Sequence, residues 1–121
     1  MKLNELIKQI NKSVEDYDYS SARKYIEENI EILETKKQLL KGNAREILKF
    51  LVEQSKMGVE PLSSKELNII NAINAYAYKF DLRGIKFLVK ENAKLFIREE
   101  IIAYLNNDAK TILTGMGVVK N

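Results

Sequence analysis

Cysteine, histidine and tryptophan are all missing from this 121-residue chain, and proline occurs once. Without imidazole or thiol there is no histidine general base, no thiolate nucleophile, no disulfide and none of the common zinc sites. No phosphate-binding loop is present, because the glycines at 42, 58, 84, 115 and 117 spell neither GxGxxG nor GxxxxGK followed by Ser or Thr. The longest purely apolar run, Ile101 to Leu105, is far short of the roughly 20 residues that span a bilayer. The first twenty residues carry no apolar core or cleavage site of a secretory signal. A cytoplasmic protein with no membrane span, no cofactor and no metal is the expectation.

What is abundant suits helices. Apolar residues make up 45% of the chain and charged ones 31%, enough for a core and a solvated surface in one domain. Leu3, Leu6, Ile7, Ile10 and Val14 recur at helical spacing, so the first helix is expected over about 2–15. Asp16-Tyr17-Asp18 offers a turn and Asp18 an N-cap. Ala22, Tyr25, Ile26, Asn29, Ile30 and Leu33 then mark a second helix that nothing interrupts before Leu40. Gly42-Asn43 restarts a third, with Ala44, Ile47, Leu48, Leu51 and Val52 inward to about Met57. Residues 58–64 form the only long turn, with Ser64 as the expected start of a fourth helix over 65–79. That helix is apolar on most of its circumference, so its surface with Tyr76 and Tyr78 is expected to be the core or a docking groove. A fifth carries Leu82, Ile85, Leu88, Val89, Leu95 and Phe96 inward and continues through Leu105. Asn106-Asn107-Asp108 opens a last helix, and a loose tail is expected from 115 to 121. The fold class is all-α, with six or seven helices: a first half to 57, a second from 65 to 114, within a single domain.

The two halves resemble each other. A shift of 63 places lays 4–33 on 67–96 and matches Ile7/Ile70, Ile10/Ile73, Asn11/Asn74, Asp18/Asp81, Glu28/Glu91 and Asn29/Asn92. A slip of two more aligns 43–48 with 108–113. Helical periodicity alone accounts for some of these pairs; the repeated aromatic-Asp turn and the asparagines are what point to an internal duplication.

The stretch Asp16 to Asn29 is similar to the turn and second helix of a tetratricopeptide repeat, as is Lys79 to Val89. In that family a small residue packs between the helices, a position Ala22 matches and Ile85 does not. The period here is 63–65 rather than 34, and the family's Trp, Gly and closing Pro positions are unfilled. The resemblance covers about thirty residues of each half. It implies stacked helical hairpins and a protein-binding role. It also implies a groove in which Lys8, Asn11, Asn71 and Asn74 would hold a peptide backbone.

Candidate chemistry is thin. Glu27-Glu28 and Glu99-Glu100 are neighbours on helices and so point about 100° apart, as solvated residues do. Ser21 and Lys24 have Ser-x-x-Lys spacing without its companion motifs. No enzyme is expected. The sharper feature is a stripe on the fifth helix, Arg83, Lys86, Lys90, Lys94 and Arg98, at spacings of three and four. The chain's net charge of +3 is unevenly placed. Residues 1–60 carry 11 basic and 11 acidic side chains, and 61–121 carry 9 and 6. In the shifted register Lys90 and Lys94 stand where the first half has Glu27 and Glu31. The stripe is therefore the expected docking site for an acidic protein partner or for a second copy in a homo-oligomer. The alternative is a nucleic-acid-associated regulator that binds phosphates through the stripe.

Overall fold

Leu6, Ile7 and Ile10 are buried along one side of helix α1 (Leu3–Glu15), as their spacing requires. A computed structural model describes residues 2–120, and these are all-α, with eight α-helices and two 3-10 segments. The first half holds α1, α2 (Tyr19–Glu28), α3 (Ile30–Thr35), a 3-10 turn at Lys37–Leu39 and α4 (Gly42–Met57). The second holds α5 (Ser64–Tyr78), α6 (Leu82–Glu91), α7 (Ala93–Phe96), a 3-10 segment at Glu99–Tyr104 and α8 (Asn107–Met116). No helix among the described residues is long and apolar enough to cross a membrane.

The helices outnumber those expected because an asparagine breaks each long one. Asn29 leaves helical geometry, and its side-chain amide donates to the Tyr25 carbonyl at 2.8 Å. Asn92 does the same to Leu88 at 2.9 Å. A short polar side chain can compete for helix carbonyls in this way, which ends the helix without Gly or Pro. The turns before α2 and α6 also match. Tyr17 and Phe80 sit at φ 63° and 56°, and Asp18 and Asp81 cap the amides of Ser21 and Gly84.

Each half is tied by a second asparagine. Asn11 donates to the Leu39 carbonyl and accepts from the Lys41 amide, fixing the 3-10 turn to α1. Asn74 donates to the Tyr104 carbonyl and accepts from the Asn106 amide, fixing the second 3-10 segment to α5.

The middle of the fold is α4, which packs against α1, α2 and α3 and, across the two halves, against α7. The surface of helix 65–79, expected to be core or docking groove, divides between buried and exposed positions. On α5 Ile70, Ile73 and Ala77 are buried, while Tyr78 is 80% exposed. Ala77 is buried and Ala75 exposed, since alanine favours helices and tolerates water and so does not by itself mark a buried face. The start of α5 also moves by one residue. Ser63, rather than Ser64, is the cap, in a reciprocal capping box with Glu66.

The tail from residue 115 is not loose. Gly117 closes α8 at φ 86°, its carbonyl accepts from the Ser20 amide at 2.9 Å, and Val118 and Val119 are buried. Valines after a glycine carry no helical period, so the sequence gives no sign of that docking. Residue 121, the last of the expected tail, lies outside the described residues.

Candidate functional site

Helix α6 points Ile85 and Val89 into the core at 0% exposure and turns its other side to water. That side presents Arg83, Lys86 and Lys90, all exposed, with no acidic residue between 82 and 90. Apolar groups lie among them: Leu82 and Phe87 on the helix, Phe80 in the adjoining turn and Tyr78 at the end of α5 are all exposed. Phe87 falls off the inward spacing of this helix, and that is the one sign the sequence gives of an exposed aromatic there. Tyr76 is the exception in this region. Its ring is half-buried and so close to Gly84 that a β-carbon there would stand 2.9 Å from it.

The five-residue stripe does not survive intact. Lys94 sits on α7, where its Nζ lies 3.7 Å from Glu46 Oε2 on α4. Arg98 leaves the stripe altogether. Its spacing from Lys94 assumes a continuous helix, and the chain breaks at Asn92 and leaves α7 after Phe96. Its side chain is 5% exposed and donates to Glu100 Oε2 at 2.8 Å, to Glu66 Oε2 at 3.4 Å and to the Glu60 carbonyl. Arg98 thus ties the long turn and α5 to the second 3-10 segment. Burial is the largest single influence on Glu100 and raises its pKa, but the bond from Arg98, a backbone bond and the charges of Arg98 and Arg23 together hold the carboxyl below its ordinary value.

The expected groove is also redistributed. Asn11 and Asn74 each donate one bond to and accept one bond from backbone within their own halves, which holds both side chains in place. Lys8 and Asn71 are exposed at matching positions on α1 and α5.

On α2 the face corresponding to the open side of α6 is covered. Tyr19, at the place of Leu82, is 1% exposed and its hydroxyl donates to the Val89 carbonyl at 3.4 Å. Burial, reinforced by Tyr17 nearby, pushes its pKa up to about 12 against a smaller opposing pull from Asn43. Arg23, at the place of Lys86, donates to the Ile97 carbonyl and lies 3.9 Å from Glu99. Between these elements runs a cleft of about 780 Å³ lined by Arg23, Lys24, Glu28, Ile97, Glu99 and Val118. Residues of the second half therefore meet α2, whereas among the described residues the side of α6 that carries Arg83, Lys86 and Phe87 is exposed.

Chemically, the open side of α6 can attract an acidic surface and bury aromatic area; it brings no nucleophile and base together. Among the described residues no three acidic side chains converge as a metal site would need. Comparison with protein-family models, with curated proteins and with solved structures finds no match.

Proposed function

We propose that this chain is a cytoplasmic protein–protein interaction module of two related helical units, working by binding rather than by catalysis. The observation that carries it is the contrast between α2, whose outer face is occupied, and α6, whose matching face is open, basic and studded with exposed aromatics. Aromatic residues and arginine are enriched where proteins dock, and single-sign charge steers an oppositely charged partner. The equivalent turns, helix breaks and asparagine ties 63 and 65 positions apart support descent of the two units from one duplicated helical repeat. The tetratricopeptide likeness fits that reading in general character: paired helices that present a surface.

The test is charge reversal at Lys86 and Lys90. Both side chains are exposed, so the thermal midpoint stays unchanged while an acidic partner, cross-linked to the wild-type chain in its native cells, is lost. Undiminished capture by the variant overturns the reading. A second reading, nucleic-acid binding, draws on Phe80 and Phe87 beside the lysines, since bases stack on aromatics while cations meet phosphates. Fluorescence anisotropy with single-stranded and duplex DNA at low and high salt separates the two. Only the nucleic-acid reading gives salt-dependent binding of the DNA probes.

A further inference from the structure

We propose that the open face of α6 receives the acidic α2–α3 face of a second copy of this chain, so that copies join head to tail. The inference rests on the reading above and names the partner of that site.

Within one chain, the contact between the halves joins unlike surfaces. The first half contributes Tyr19, Ser20, Arg23 and Glu46; the second contributes Val89, Lys94, Ile97 and Gly117. Carried back by 63 places, or by 65 beyond the slip, the second set falls at positions 26, 31, 34 and 52. None of these is a position the first half uses in that contact; Ile26 is buried in the core and Val52 lies within α4, so Glu31 and Glu34 are the exposed ones. A contact between unlike surfaces always leaves one of each kind unused at the ends, and such contacts extend from copy to copy.

The unused surfaces suit each other. On the second half the counterparts of Tyr19, Ser20, Arg23 and Glu46 are Leu82, Arg83, Lys86 and Thr111. On the first half the counterparts of Lys94 and Ile97 are Glu31 and Glu34, with Glu27 and Glu28 one turn earlier. Lys86 keeps the positive charge of Arg23. Where Lys94 meets Glu46 inside the chain, Glu31 would meet Thr111, so the sign at one position reverses and the acid opposite it disappears together. Leu82, exposed at 38%, would be covered as Tyr19 is, and exposed Ile32 adds apolar area on the acidic side. Two bonds have no counterpart: Asp108 stands in place of Asn43, which donates to the Lys90 carbonyl, and Leu82 lacks the hydroxyl that Tyr19 donates to Val89. The approach of Arg23 to Glu99 carries back to Lys86 beside Lys36, so the charge match rests on Glu27, Glu28 and Glu31 alone. Glu27 and Glu34 already have partners, Arg23 at 2.8 Å and Lys56 at 3.8 Å. Glu28 and Glu31 are therefore the residues to change.

Sedimentation velocity across a wide concentration range, at low and high salt, reads the outcome. The wild-type mass should climb from 14.0 kDa past twice that value with concentration and fall back in high salt, which screens the charges. Arg83→Glu with Lys86→Glu should hold the mass at one chain, and so should Glu28→Lys with Glu31→Lys. Each of these variants keeps one native face, so mixing them restores association. A wild-type mass fixed at 14.0 kDa throughout overturns the inference. Association that either variant leaves intact, or that the mixture fails to restore, overturns it as well. If the wild type stays single while Lys86→Glu with Lys90→Glu still loses a captured partner, the inference fails and the docking role of the face stands.

Discussion

Asn11 and Asn74 hold the backbone in the same way, each donating to one carbonyl and accepting from the amide two residues on. The donor distances are 3.4 and 2.9 Å, so the second is the better formed. Replacing Asn74 by Leu strands the Tyr104 carbonyl and the Asn106 amide at the α5 surface and should cost about 2 kcal/mol. Asn11→Leu should cost less. Urea unfolding monitored by circular dichroism gives both values, and equal or inverted losses would contradict the geometry.

Arg98 supports a second expectation. Removing it leaves Glu66 and the Glu60 carbonyl without their donor in a nearly closed site. Because Glu100 is 41% exposed, the loss is discounted from that of a fully buried pair to about 2 kcal/mol for Arg98→Met. Arg98→Lys recovers little of it, as an ammonium cannot reach three oxygen groups at once. Comparing the two variants' unfolding midpoints is the check.

Tyr19 makes stability depend on alkaline pH. Its phenol is neutral in the folded chain up to about 12 and in the unfolded chain only to 10.0. The folded value is the raised one, so the contribution is whole below pH 10 and drains away as pH rises toward 12. The full effect amounts to about 2–3 kcal/mol. Tyr19→Phe should flatten that part of the pH profile, at the expense of the bond to Val89. A profile of unchanged steepness counts against the buried phenol.

Gly117 has two reasons to lack a side chain. Its φ of 86° is a left-handed conformation, and a β-carbon there would stand 2.9 Å from Asp18 Oδ1 and 3.2 Å from Asp18 Cα. Gly117→Ala should therefore cost more than the roughly 1 kcal/mol of the dihedral alone. Gly115→Ala, with open space around its position, serves as the control in thermal unfolding.

The all-α class and most of the inward residues were legible because α1, α4 and α6 obey strict helical spacing. The breaks at Asn29 and Asn92 were not, since an asparagine on a helix face reads like any other polar residue until its amide is seen on a carbonyl. Arg98 was misplaced for the same reason: a spacing of four puts residues on one face only while the helix lasts. The basic face of α6 was legible from Arg83, Lys86 and Lys90. Its openness was not, because that depends on where Gly117, Val118 and Val119 go, and they go to α2.

That destination bears on how the chain is made. The Gly117–Val119 segment that lies against α2 is synthesised long after its anchor, the Ser20 amide. Domains fold as units and start from the N-terminus during synthesis, but here the first half has to wait with Tyr19 and Arg23 uncovered until Val89, Ile97 and Glu99 have been made. In that interval the nascent α2 exposes the surface that the folded chain keeps for its own Gly117–Val119 segment. The crowding of neighbouring nascent chains on one messenger is where a mistaken first contact would arise.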